Sequence, residues 1–174
     1  MGTVLRELKP RLHLDTIDLE GVTLGQRLAG LSGFIDRKVI RPLNAPVSPV
    51  GGLVALRGSL APGGAILKRA AASENLFESE GRAVVFDNLE DLAARIDDPS
   101  LDVTASDVLV LKNAGPRAAA MPEAGYLPIP KKLAQQGVKD MVRISDARMS
   151  GTAFGTVVLH VTPESAVGGP LAAV

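Results

Sequence analysis

The residues with the strongest chemical potential lie between two apolar segments, Met141-Val142-Arg143-Ile144 and Thr156-Val157-Val158-Leu159-His160-Val161. The stretch from Ser145 to Gly155 packs Ser145, Asp146, Arg148, Ser150 and Thr152 into one loop. Loops at strand ends are where rigid scaffolds hold reactive groups. Gly151 and Gly155 permit close backbone approach, so the hydroxyl of Ser150 or Thr152 can be held against a ligand. The same composition also suits a tight connection whose hydroxyls only satisfy backbone groups.

A second candidate is Asn113-Ala114-Gly115-Pro116 followed by Met121-Pro122-Glu123. A carboxylate in a proline-stiffened loop suits a hard cation such as Mg²⁺, which is usually held by one or two carboxylates plus substrate oxygens. One glutamate alone is not a metal site, and a solvated loop residue is the plainer reading of Glu123. Asp146, Ser150 and His160 are close enough in sequence to raise a hydrolase triad. Ser150, however, lacks the Gly-x-Ser-x-Gly setting, and His160 falls inside an apolar strand. Gly51-Gly52 and Gly63-Gly64 match neither a Walker A loop nor a Gly-x-Gly-x-x-Gly turn, so nucleotide binding has no support.

The elements that must position these residues read as many short strands with a few short helices. Loose alternation from Leu12 to Leu24, broken at Glu20-Gly21, predicts a β-hairpin. Thr23, with Gln26 three residues on, predicts a capped helix over 23–29. Between Arg41 and Gly64 prolines and glycines predict long loops around the strand Leu53-Val54-Ala55-Leu56. Further on, a strand over 81–86 leads into a helix over 88–96 capped by Asp87 or Asn88, and 108–111 forms another strand. Lys131 to Gln136 reads as a helix stopped by Gly137, and strands over 141–144 and 156–161 flank the serine loop.

Composition narrows the function classes. The chain has 174 residues, formal net charge +0 and no cysteine. Its length suffices for one real core, and a single domain over 1–174 is the expectation. Without thiols the chain itself provides no disulfide, cysteine nucleophile or iron–sulfur ligand. Interspersed charges and 3% aromatic residues argue against a nucleic-acid surface. No apolar run approaches a membrane span and the N-terminus carries no signal-peptide pattern, which predicts a soluble, cytoplasmic protein.

Taken together, several segments resemble the C-terminal domain of the dihydroxy-acid dehydratase family, which also contains phosphogluconate dehydratase and the arabinonate and xylonate dehydratases. They are Leu14-Asp15 with Gly21-Val22-Thr23-Leu24-Gly25, Val39-Ile40-Arg41-Pro42-Leu43, and Gly51-Gly52-Leu53 through Leu56-Arg57-Gly58-Ser59-Leu60-Ala61-Pro62. To these add Asn113-Ala114-Gly115-Pro116, Met121-Pro122-Glu123 and Ile144-Ser145-Asp146-Ala147-Arg148-Met149-Ser150-Gly151-Thr152. The last of these, with Leu127-Pro128-Ile129-Pro130-Lys131-Lys132-Leu133, looks more like the sugar-acid branch than the branched-chain amino-acid branch. The resemblance covers this chain almost throughout and only the last part of a family chain.

That resemblance implies a mixed, β-rich α/β fold: a swivelling, barrel-like β/β/α domain with short flanking helices, the C-terminal domain of a larger enzyme whose N-terminal, cluster-binding domain is absent here. It implies a hydro-lyase that converts a 2,3-dihydroxy carboxylate into a 2-keto acid. An iron–sulfur cluster held by the N-terminal domain acts on the departing 3-hydroxyl, and Mg²⁺ binds the carboxylate and 2-hydroxyl. It places the proton-abstracting base at Ser150, a Mg²⁺ ligand at Glu123 and Thr152 beside the substrate. The implied partners are the N-terminal domain, a small hydroxy acid and further copies of the full-length enzyme, with no nucleic acid or membrane. The fragment alone is expected to be inactive. The alternative is a noncatalytic swivelling or docking domain whose serine-rich loop is structural.

Overall fold

The computed structural model describes residues 1–31, 33–120, 127–148, 150–151 and 154–174. They divide into two compact units, Met1–Val50 and Gly51–Val174.

In the first unit, helices α1 (Gly2–Glu7) and α2 (Leu24–Ala29) pack on each other. Thr23 caps α2 as its sequence predicts. Its hydroxyl accepts the Gln26 amide at 3.2 Å, and the Gln26 carbonyl oxygen Oε1 accepts the Thr23 amide at 2.9 Å. The hairpin expected over Leu12–Leu24 shrinks to one antiparallel bridge, Ile17 to Thr23. Two local features compete with a ladder. Asp18 Oδ1 draws in the amides of Glu20 and Val22, closing a turn that Gly21 completes at φ 75°. Beyond that turn, Thr23 is already committed to capping α2.

The second unit is a six-stranded mixed sheet in the order β1-β2-β6-β5-β4-β3. Its strands are β1 (Val54–Gly58), β2 (Ala61–Leu67), β3 (Ala83–Phe86), β4 (Val108–Leu111), β5 (Arg143–Ser145) and β6 (Val157–Thr162). β3, β4, β5 and β6 run parallel, whereas β2 pairs antiparallel with both β1 and β6. With its short flanking helices this is the mixed α/β class expected from the sequence. The β4 sequence Val-Leu-Val-Leu is a continuous apolar run because both faces of a parallel sheet are covered.

One face packs Val84, Phe86, Leu109, Leu111, Val157 and Leu159 against Leu92 and Ile96. These last two flank the end of α3 (Leu89–Arg95), which begins where Asn88 Oδ1 accepts the Asp91 amide at 2.8 Å. The other face joins Val110 and Val161 to Ala61, Ala65 and Leu171. Strict alternation along β6 would put Val161 with Val157 and Leu159, yet it lies on the opposite face. The change occurs at His160, whose φ is 56°, where β6 spends three steps against two on β2. It is a β-bulge in a strand that reads as unbroken from sequence.

The strand β2 is where sequence expectation fails most clearly, because Pro62-Gly63-Gly64 reads as loop. The glycines are there for sheet contact. A Cβ on Gly63 would collide with Thr162 of β6, and Gly64 takes φ 113° at the register shift. Further α-helices among the described residues are α4 (Pro116–Ala119) and α5 (Lys131–Gln135), with Gly137 at φ 90° just after α5 as expected.

Candidate active site

Strands β5 and β6 are parallel neighbours, so the chain from Asp146 to Thr156 must return along the sheet to start β6. Ser150 lies midway along this return and is only 8% exposed. Its segment is fastened near both ends. The Ala147 carbonyl accepts the His160 amide at 2.9 Å, and the Gly155 amide donates to the Ala71 carbonyl at 2.8 Å.

Ser150 and Gly151 line an open cavity of about 410 Å³ with Gly52, Leu53, Lys68 and Ala70. Lys68 lies just past the end of β2, and its Nζ donates to the Gly151 carbonyl at 2.7 Å. The serine expected to act therefore shares its cavity with a cation, and both belong to the same compact unit.

The far end of the serine segment rests on a buried ion pair. Arg143 opens β5 with 9% of its side chain exposed, against 7% for Asp140, and the two meet at 3.2 Å. Arg143 Nη2 also donates to the Phe154 carbonyl at 2.9 Å, and Nη1 to the Leu127 carbonyl at 3.2 Å. One guanidinium thus ties Phe154, near the end of the serine segment, to Leu127. Asp140 accepts the Thr156 amide at 2.8 Å, the Thr156 hydroxyl at 2.8 Å and the Ser73 amide at 3.2 Å. Burial pushes the Asp140 carboxyl up, but those hydrogen bonds and Arg143 outweigh it, leaving the carboxyl below its ordinary range. Burial also lowers the Arg143 pKa, an effect that Asp140 opposes.

Asp146, weighed as a triad member, serves the backbone instead. It is 1% exposed, and its two oxygens accept the amides of Ala114 and Ser165, each at 2.8 Å. It thereby fastens the loops after β4, β5 and β6 to one another. The Asn-Ala-Gly-Pro sequence has a similar explanation. The Glu164 carboxylate accepts the Arg117 amide at the start of α4, at 3.0 and 3.1 Å, and lies where a Cβ on Gly115 would stand. His160 is half-buried, and burial, then Arg148, lowers its pKa.

Of the expected site residues, Ser150 is described, whereas Glu123 and Thr152 lie outside the described residues. Among the described residues no group of three or more His, Asp or Glu side chains could hold a metal ion, and the chain has no thiolate for a cluster. The described donors therefore do not make a Mg²⁺ or iron–sulfur site by themselves. Also among the described residues, no helix is long and apolar enough to cross a membrane.

Sequence reasoning passed over Lys68, Asp140, Arg143 and Glu164. Each is a single charged residue just outside or at the edge of an apolar strand, a position that usually marks the strand's entry into solvent. The available signal is weak: Asp140 and Arg143 bracket a strand start, and Lys68 ends the apolar run Ala65-Ile66-Leu67.

Residues 38–174 match the family described as "Dihydroxy-acid/6-phosphogluconate dehydratase C-terminal". The chain is 56% identical over 161 residues to the L-arabonate dehydratase of Azospirillum brasilense, covering 92% of this chain and 27% of that protein. It is 49% identical over 178 residues to the 6-deoxy-6-sulfo-D-gluconate dehydratase of Pseudomonas putida, covering all of this chain and 31% of the relative. A dihydroxy-acid dehydratase of Methanoregula boonei is 41% identical over 172 residues, covering 98% of this chain and 30% of the relative. The chain thus spans less than a third of the length of these relatives. By this match and these identities, the chain belongs to the dihydroxy-acid/6-phosphogluconate dehydratase family and corresponds to its C-terminal region.

Proposed function

We propose that this chain is the C-terminal domain of a larger cytoplasmic hydro-lyase that removes water from a sugar acid, a 2,3-dihydroxy carboxylate, to give a 2-keto acid. The observation that carries this reading is the placement of Ser150. It is a nearly buried hydroxyl, on a segment anchored at Ala147 and Gly155, facing a cavity of ligand size. The sugar-acid choice follows the higher identity to an arabonate dehydratase than to a dihydroxy-acid dehydratase.

Ser150 Oγ, as the alkoxide, takes the proton from C2 while the C3 hydroxyl departs, and that proton then passes to the departing hydroxide to complete the water and restore the alkoxide. The resulting enol tautomerises to the 2-keto acid, and one water is lost per substrate. A serine hydroxyl needs positive charge nearby to serve as a base at neutral pH. When bound, Mg²⁺ and the iron–sulfur cluster would supply Lewis acidity, the cluster being held by the N-terminal part of the full-length enzyme. We assign Glu123 as a Mg²⁺ ligand and Thr152 as a substrate contact on the family resemblance. The N-terminal domain and further copies of the enzyme are the partners in this reading, and the isolated chain is inactive.

Ser150→Ala in the full-length enzyme tests the assignment. The variant is expected to keep its iron content and lose keto-acid formation by about 10²–10⁴-fold, the usual cost of deleting a general base. Near-normal turnover with full iron content would make the serine segment structural and assign the domain a docking role.

A further inference from the structure

The two compact units treat their apolar side chains in opposite ways. Among the described residues, ten of the fourteen large apolar side chains that stand exposed belong to Met1–Val50, and Leu28 is the one apolar residue buried there. The rest of the buried apolar residues lie in Gly51–Val174.

We propose that Met1–Val50 is an interaction unit that docks, through Ile17, Leu19 and Phe34, on apolar side chains of the part of the full-length protein that precedes this chain. The inference rests on the reading of the chain as the C-terminal part of a longer protein and is independent of the role given to Ser150.

The unit lacks the means to hold itself together. A small fold with little core is stabilised by disulfides, by a metal or by a partner surface. This chain has no cysteine, and among the described residues no group of three or more His, Asp or Glu side chains could hold a metal ion. Helices α1 and α2 have six residues each, well short of the about 12–15 that an isolated helix needs in water. A partner surface is the remaining device.

The exposed apolar side chains also stand on fastened backbone. Leu19 and Glu20 are the central residues of a turn closed by the Gly21 amide donating to the Asp18 carbonyl at 3.0 Å. Asp18 Oδ1 holds the amides of Glu20 and Val22 at 2.9 and 3.1 Å, and Arg27 pairs with both Asp18 and Glu20. The turn's charges are thus spent on its own geometry, and Leu19 is held out fully exposed beside a largely exposed Ile17. Phe34 is 80% exposed, yet its carbonyl accepts Arg6 Nη2 at 3.2 Å. Nearby, Arg37 pairs with Glu7 at 2.7 Å. Single exposed apolar residues are ordinary on a surface, but several of them on an ordered backbone with almost no core beneath mark a surface meant to be covered.

The family match and the relatives point to the occupant. The match to the C-terminal domain covers residues 38–174 and leaves out Ile17, Leu19 and Phe34, whereas the Pseudomonas putida relative aligns with all of this chain. More than two thirds of that relative lies outside the aligned stretch. Because the match is to a C-terminal domain, the first unit is the one that adjoins the missing length. A covalent tether to that length gives docking a high effective concentration.

Amide hydrogen exchange, read by mass spectrometry on the full-length protein and on the 174-residue chain, tests the proposal. Amides of residues 1–50 should exchange at least about 100-fold more slowly in the full-length protein, where opening must first break the docked surface. Leu19→Asp and Phe34→Asp, made in both proteins, should speed that exchange at least about tenfold in the full-length protein, because a carboxylate is costly to bury. In the 174-residue chain, where both side chains already face water, the change should stay within about twofold. Equal protection of residues 1–50 in the two wild-type proteins would overturn the proposal: high in both, the cover lies within this chain; low in both, nothing covers the unit. Protection in the 174-residue chain that grows with its concentration would give the surface to a second copy and overturn it as well. Aspartate variants without effect in the full-length protein would do the same. If the aspartates prevent folding of the full-length protein, Leu19→Ala and Phe34→Ala are read in their place, and the wild-type comparison needs no variant. Turnover enters none of these readings, so failure of the dehydratase assignment to Ser150 leaves the result standing.

Discussion

Two arginine–aspartate clusters sit at the amino ends of neighbouring strands in the parallel part of the sheet, one at β3 and β4 and one at β5, and they differ in almost everything but chemistry. Arg82, just before β3, pairs with Asp102 and, at 2.9 Å, with Asp107 just before β4. Its side chain is 51% exposed, and Asp102 is more exposed still. Arg143 and Asp140, at the start of β5, are both buried. The first cluster staples neighbouring strand ends at the surface. The second joins parts of the chain far apart in sequence, because its remaining hydrogen bonds go to Leu127, Phe154, Thr156 and Ser73. Burial turns an ordinary ion pair into a scaffold, since desolvated charges must find every available partner.

The sharpest way to separate the two clusters is to remove each arginine. Arg143→Met leaves the Asp140 carboxylate buried without its cation and frees the Phe154 and Leu127 carbonyls together. Breaking a buried pair from one side costs about 3–5 kcal/mol. Urea unfolding should show that loss, and turnover of the full-length enzyme should fall with it. A loss no larger than that of the corresponding Arg82 variant would make the two clusters energetically equivalent.

Gly155→Ala is a gentler attack on the same cluster. Gly155 sits at φ 90°, and a Cβ there would collide with Arg143 Nη2 and Asp140 Oδ1. The substitution keeps both charges and forces them apart, so its effect reports geometry alone. A destabilisation of roughly 1–3 kcal/mol is expected, within the range for strain at a positive-φ site. Unchanged stability would mean that the close approach at Gly155 is dispensable.

These residues also show what a sequence can and cannot convey. The apolar runs of β3, β4 and β6, the Asn88 cap and the Thr23–Gln26 box were legible because each is a local pattern with a local cause. Ser150 was legible only as a hydroxyl in a glycine-flanked loop, and its prominence came from family resemblance. The cavity partner Lys68 was not legible, because it comes from a different strand and joins Ser150 through the β2–β6 pairing. The same holds for Arg143 and Asp140, whose burial depends on segments as distant as Ser73 and Leu127. The strand β2 was hidden for the opposite reason. Its glycines answer to Thr162 across the sheet, and locally they look like a loop.

The smallest effect belongs to Arg82→Met, and it depends on pH. Hydrogen bonding to Asp102, then to Asp107, raises the Arg82 pKa, while Arg82 lowers both carboxyls below their ordinary range. A carboxyl lowered by folding contributes stability that is present above its unfolded pKa and lost as pH falls through its folded value. The Arg82 cluster should therefore help the fold in full above about pH 4, the ordinary carboxylate value, and lose that help progressively as the pH falls further through the lowered folded values. Because the arginine is half exposed, salt screens its pairing, and the gain at pH 7 should shrink as ionic strength rises. Thermal melts of wild type and Arg82→Met, at pH 7 and pH 3 and at low and high salt, measure this. The difference in Tm should be small at pH 7 and low salt and smaller in each of the other conditions. A difference that survives both acid and high salt would show that the Arg82 stem packs on the sheet end, so that its role resembles that of Arg143 more closely than its exposure implies.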